Sequence, residues 1–365
     1  MELLKNYSKL VWIAGLFLSI SSCKKDGETP ISGVAINLPS SIALTYGEQQ
    51  DFALPAELLN AADVQVRLDF KETNNLQISA NTKLHDKLGQ AITFDNKTGK
   101  LHVNSIMLYP NNAVSSLTGV KLPDSYKMTV IVSSSDKAFE GKQTLDLKIA
   151  PAKLNIKGLD NQAAIPFAYV LYGDLANFDL EASSAITEGA IWSIDNKTQI
   201  GTDITLKSNQ LQFPASAGDP NKKAEKSFDV IPALQKDGFS VASRTFRVVF
   251  IPQIKFFYGT YYSDLDLTIL LNNLHIALSN GYISSVPTLY PEKYKSGFNI
   301  VSILKDGKTI DNTDGIFEIN TQTGSVIVKK NSVLTLGAYI ITVKATTTTG
   351  LEFNTTLTLN MSKAD

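Results

Sequence analysis

Cysteine occurs once in 365 residues and histidine three times, at His85, His102 and His275. One thiol makes no disulfide framework, and three scattered imidazoles make no Cys/His metal cluster of the usual spacing. An excess of charge is lacking too: 34 Lys and Arg stand against 35 Asp and Glu, a net charge of -1. There is therefore no basic footprint for nucleic acid, and a polyanionic partner is not expected. No G-x-S-x-G elbow is present, the histidines stand in no triad context, and no carboxylate pair stands out among the 35 acidic residues. No catalytic residue, metal or cofactor is assigned.

What is present begins with an export signal. Lys5 and Lys9 precede an apolar run at residues 10–20 that is too short to span a bilayer and has the three-part layout of a signal peptide. Ile20-Ser21-Ser22-Cys23 follows. A plain secretory signal needs no Cys there, and in an exported chain with no second Cys it would be an odd thiol. These four residues resemble the bacterial lipobox, which implies that Cys23 is lipidated and becomes the mature N-terminus. The run S-S-C-K-K-D-G-E is similar to that of outer-membrane lipoproteins of Bacteroidota. Residues 24–30 cannot pack and read as a flexible spacer.

The rest repeats itself. Near the C-terminus Phe317 and Ile319 alternate with polar residues, Asn320 to Gly324 is a turn, and Val326 and Val328 resume the alternation, which spells a β-hairpin. A second hairpin follows, with Tyr339, Ile341, Val343 and Ala345 on one face, a turn closed by Gly350, then Phe353, Thr355, Leu357 and Leu359. Ile92 and Phe94 before Thr98-Gly99 match the first hairpin, and residues 125–149 match the second with Tyr126 in the place of Tyr339. Trp192 and Ile194 take the same two positions in the middle of the chain, with the Gly two residues late. Tyr46-Gly47, Tyr172-Gly173 and Tyr258-Gly259 each open a strand about half a dozen residues on, the third with a longer offset. Residues 267–278 read as a short helix or as two strands.

Short alternating strands with almost no helical periodicity predict an all-β protein of three tandem antiparallel β-sandwiches. The expected division is a signal peptide at 1–22, a tether at 23–32, and sandwiches at 33–150, 151–252 and 253–365. The junctions I-A-P-A and F-I-P-Q carry one Pro each and no Gly/Ser run, which predicts stiff joints. The hairpin pattern resembles cadherin-like and immunoglobulin-type modules of bacterial surface proteins, and this resemblance implies that the three sandwiches are immunoglobulin-like (cadherin-like). Cadherins hold calcium with acidic linkers, whereas these junctions carry no carboxylate, so calcium is not carried over. Asp264 and Asp266 read as a solvated strand face. Trp192 reads as core, since its counterparts are apolar. His102 reads as exposed and inert.

One aromatic cluster exceeds background. Phe256, Phe257, Tyr258, Tyr261 and Tyr262 are followed by Tyr282, Tyr290 and Tyr294 in an insertion that only the third copy carries. Sugars present C–H faces to aromatic rings while their hydroxyls seek Asn, Asp and Lys, so Tyr282, Tyr290, Tyr294, Tyr261 and Tyr262 are the candidate ligand-binding residues. The competing reading buries Phe256, Phe257 and Tyr258 in the third core and uses the others to cover its junction. Lipoproteins that this chain resembles serve starch-utilisation-type systems. The resemblance implies a lipid-anchored protein of the outer membrane, at the cell surface, that binds polysaccharide and passes it to an outer-membrane transporter. The alternative is an adhesin or a structural stalk.

Overall fold

A computed structural model describes residues 32–59, 64–71, 76–135, 139–201, 203–278 and 280–363. The expected signal peptide, Cys23 and nearly all of the tether lie outside the described residues. Strands dominate what is described. The two C-terminal hairpins form as their alternation requires: Phe317–Ile319 pairs with Val326–Val328, and Gly337–Thr347 pairs with Glu352–Ser362, both antiparallel. Tyr339, Ile341, Val343 and Ala345 are all buried along one face, as the two-residue period of a strand dictates.

Each of three successive sandwiches adds a parallel pair that alternation cannot foretell. Ser41–Thr45 lies parallel to the end of Phe139–Ala150, Phe167–Leu171 to Phe246–Ile251, and Asn273–Ala277 to the end of Glu352–Ser362. The expected antiparallel sandwiches are thus present with a parallel pair joined to each. In each unit the first long strand crosses to join the last, and the other pairs are antiparallel except for two short ones, Ser32–Gly33 with Phe139–Ala150 and Ala152–Lys153 with Phe239–Ser243. The result is an all-β chain of tandem immunoglobulin-like β-sandwiches, with three clusters of buried apolar side chains among the described residues.

This pairing corrects two of the sequence alignments. In the second sandwich the hairpin equivalent to Ile92–Asp95 with Lys100–Asn104 is Thr205–Lys207 with Gln210–Phe213. The Trp192 strand, Ile191–Ile194, instead pairs with Pro232–Lys236, as Val64–Asp69 pairs with Tyr126–Ser134. Trp192 is half-buried against the first and second cores, so its aligned position was mistaken although it does pack. In the third sandwich the parallel strand comes after Tyr258-Gly259, not before it. Residues 255–270 are an addition: Lys255–Phe257 pairs with Thr288–Tyr290, and Gly259–Tyr262 forms a hairpin with Leu267–Leu270. The doubtful stretch at 267–278 is therefore two strands, Leu267–Leu270 and Asn273–Ala277.

A helix was missed at Leu84–Ala91. Its buried residues, Leu84, Leu88 and Ala91, are spaced four and three apart, which is the helical signature.

The joints are packed, not merely stiffened by proline. Leu234, Phe239, Val241 and Ala242 belong to the core of the first sandwich. Ala152–Lys153 runs parallel to Ala242–Ser243. The buried Arg244 guanidinium donates to the carbonyls of Leu154 at 3.3 Å, Asn161 at 2.7 Å and Ala163 at 2.8 Å. These bonds tie the crossing segment to the second sandwich and offset part of the penalty of burying a cation, while its buried Nε has no hydrogen-bond partner among the described residues.

Candidate functional site

The hairpin added before the third sandwich makes one wall of a cleft whose other wall is a loop of the second. Asp219 shapes that loop: its carboxylate accepts the backbone N–H groups of Asn221 at 3.2 Å, Lys223 at 3.1 Å and Ala224 at 2.9 Å. These donors hold its pKa below the ordinary 3.8, because hydrogen bonds to the charged form favour it. The loop presents Asn221, Lys222 and Lys223 to a cleft of about 400 Å³, within the size range of small-molecule sites.

The facing wall carries Lys255, Tyr261, Asp264, Asp266 and Tyr290. Strand alternation turns Tyr261 to the cleft and its neighbour Tyr262 to the opposite face. The Tyr261 and Tyr290 rings are 5.0 Å apart at 58°, a separation at which aromatic pairs attract. The Lys255 ammonium lies 4.3 Å above the centre of the Tyr261 ring and donates to the Asp266 carboxylate at 2.6 Å. The Tyr261 hydroxyl donates to the same oxygen at 2.8 Å. Lys255 is raised, Asp266 lowered and Tyr261 raised from their ordinary values, in each case chiefly through these bonds. Lysine, carboxylate and ring thus hold one another in place beside an exposed aromatic edge.

Asp264 and Asp266 do not share a strand face as expected. They sit in the turn between Gly259–Tyr262 and Leu267–Leu270, where Asp266 has φ of 46°, a left-handed conformation that Asp tolerates better than most residues. Among the described residues no group of three or more His, Cys, Asp or Glu is arranged to hold a metal.

Of the five tyrosines singled out, the cleft gathers Tyr261 and Tyr290. Tyr262 is exposed elsewhere on the hairpin. Tyr282 lies opposite Val328 in the small sheet and is half-buried against the third core. Tyr294 follows the competing reading of a ring that covers the junction: it is buried, and its hydroxyl donates to Glu225 of the second sandwich at 2.6 Å. Lys293 reaches the same carboxylate at 2.8 Å, and the two bonds hold Glu225 below its usual 4.5. Tyr294 is therefore a junction residue. The insertion is no free loop either, since Tyr282–Ile283 and Thr288–Tyr290 are both strands. Tyr258 is fully buried with its hydroxyl on the Gly324 carbonyl at 2.8 Å, and the Phe256 ring lies 5.8 Å from that of Phe298. His102 is partly exposed and contacts Asp51 at 2.7 Å.

Sequence reasoning missed Lys255, Lys222 and Asn221. The available signal was the D-P-N-K-K turn at 219–223, but nothing in it says which neighbour it will face.

The chain is an all-β protein of tandem immunoglobulin-like sandwiches with an aromatic and charged cleft between the second and third of them. Residues 264–365 match a family model described as surface glycan binding protein BT4661-like, N-terminal. The match covers the third sandwich with Asp264, Asp266 and Tyr290, and leaves Lys255, Tyr261 and the loop of the second sandwich outside it. Among curated protein sequences none matches this chain. Similar solved structures include extracellular domains 3-5 of Drosophila OTK, at 14% identity over 89% of this chain and 95% of that one, with a TM-score of 0.30. Drosophila N-cadherin EC1-3 is similar at 13% identity over 91% and 100%, with a TM-score of 0.26. The fibronectin(III)-like modules of Clostridium thermocellum CbhA are similar at 12% identity over 58% and 95%, with a TM-score of 0.32.

Proposed function

We propose that this chain is a lipid-anchored, non-enzymatic protein of the outer membrane, exposed at the cell surface, which binds a glycan in the cleft between its second and third sandwiches and passes it to an outer-membrane transporter. The observation that carries the reading is the Tyr261–Tyr290 pair beside the Lys255–Asp266 ion pair. The rings offer a surface to the C–H face of a sugar, and the ammonium, the carboxylates and Asn221 offer partners to its hydroxyls. The matched family, named for surface glycan binding, supports the same reading for the third sandwich.

The test is binding of residues 24–365 to an array of immobilised plant and microbial glycans, followed by calorimetry on a soluble fragment of whichever glycan is retained. Tyr261→Ala and Tyr290→Ala are each expected to weaken that binding by about tenfold to a hundredfold, as loss of a central aromatic contact of about 1–3 kcal/mol implies. Unchanged affinity in both variants would remove the cleft from the assignment. Anchoring is tested separately. Cys23→Ser is expected to leave the exported protein in the soluble fraction, because stable anchoring needs more than one acyl chain and a lipidated N-terminal Cys supplies them. Continued sedimentation with membranes after a high-salt wash would refute lipidation at Cys23.

A further inference from the structure

The second sandwich has an open side where the end strands of two of its sheets face each other. Ile191–Ile194 is the last strand of one sheet and Thr205–Lys207 the last of the other. Between them lies a groove of about 400 Å³ lined by Trp192, Ser193, Ile194, Lys197, Thr205 and Leu206. Trp192 is half-buried, with its inner side against the first and second cores, so its indole is held rigidly by two hydrophobic cores while it still lines the groove.

We propose that this groove is a second carbohydrate subsite, specific for uncharged pyranose residues, with Trp192 as the stacking platform. The inference rests on the reading of the chain as a glycan binder but uses residues that take no part in the junction cleft. Trp offers the largest ring surface of any side chain, and a ring gripped on one side loses little freedom when a sugar covers the other. Among the described residues, none that lines the groove is a carboxylate. Its one cation, Lys197, already donates to the Ile204 carbonyl. The remaining polar groups, Ser193, Thr205 and the outer edge of an end strand, are neutral donors and acceptors that suit hydroxyls. The junction cleft, with three lysines and two aspartates, has the opposite character. Two subsites on one rigid chain would engage a polymer at two points and raise its avidity without new contacts at either.

The sequence makes the test direct. The chain has two tryptophans, Trp12 and Trp192, so residues 24–365 retain every described residue and carry Trp192 as the single tryptophan. Its fluorescence is to be followed while maltohexaose, cellohexaose, laminarihexaose and mannohexaose are added in turn. At least one is expected to produce a saturable change in emission. Thr205→Arg, an exposed substitution that fills the groove without touching a core, is expected to weaken that response at least about tenfold, the equivalent of about 1.4 kcal/mol. The Tyr261→Ala/Tyr290→Ala double variant is expected to keep it within about twofold. Heat of binding with no change in Trp192 emission would overturn the groove and leave the cleft standing. A response abolished by the double variant and untouched by Thr205→Arg would likewise overturn it, since emission would then report the cleft. Silence of both fluorescence and calorimetry toward all four sugars would overturn the groove together with the glycan reading for these linkages.

Discussion

Phe239→Ala is expected to lower the stability of the first two sandwiches together by about 3–5 kcal/mol, the cost of removing a fully buried phenyl ring from a core that relaxes only in part. Phe239 follows the Asp237-Gly238 turn of the second sandwich, yet it is completely buried in the core of the first. Its ring centre lies 4.7 Å from that of Tyr109, and the Tyr109 hydroxyl donates to Asp237 in the same turn. Burial and this bond both raise the Tyr109 pKa. Close by, the Tyr126 hydroxyl donates to the Tyr109 carbonyl at 2.8 Å, and the Ser116 N–H reaches the Gly238 carbonyl at 2.8 Å. The ring therefore plugs a junction, and its loss opens a cavity between two sandwiches at once. Denaturant unfolding of the full chain, followed by circular dichroism and by Trp192 emission, measures the effect. A loss under about 1 kcal/mol would mean that the two units do not share a core.

Gly259→Ala is expected to undo the added hairpin while leaving the third core folded. Gly259 has φ of 143°, and a Cβ there would stand 2.1 Å from the Ile269 carbonyl oxygen. Left-handed strain alone costs about 1–3 kcal/mol. A backbone carbonyl cannot swing aside as a side chain does, so the two strands must part. Gly259 is the first residue of the ladder, opposite Leu270, and its carbonyl accepts the Thr288 hydroxyl at 2.6 Å. Parting the strands removes Tyr261 and Asp266 from the cleft. Amide exchange at Thr260 and Ile269, which face each other in the hairpin, is expected to accelerate at least about a hundredfold, the equivalent of about 2.7 kcal/mol. The amides of Ile341 and Val343, on a central strand of the third core, should stay protected. Unchanged exchange at Thr260 would show that the hairpin tolerates the added methyl group and that the close approach is not what sets its geometry.

Much of the architecture was legible in single residues and their spacing. Alternation at period two placed Phe317, Ile319, Val326 and Val328 in one hairpin and Tyr339 to Ala345 on one buried face. The repeat of that pattern predicted several sandwiches, and composition set aside disulfides and Cys/His metal clusters. The site was only partly legible. Tyr261 and Tyr290 were singled out because tyrosines cluster there, but the same cluster contains Tyr294, which seals a junction, and Tyr282, which leans on a core.

Alternation is a local property: it says that a side chain is turned inward and is silent on whose interior it enters. Phe239 reads as an ordinary strand residue of the second sandwich, and only the placement of its hairpin against Tyr109 makes it part of the first core. The parallel pairing of Ser41–Thr45 with the end of Phe139–Ala150 joins residues about a hundred positions apart, a contact that chain packing decides and no short window contains. The cleft follows the same rule. The sequence alone determined the strands, the repeated sandwich and the tyrosines available for a site. The tertiary structure decided which tyrosines meet Lys255 and the Asn221–Lys223 loop, because those partners are brought together by the docking of one sandwich on the next, through contacts such as Tyr294 with Glu225.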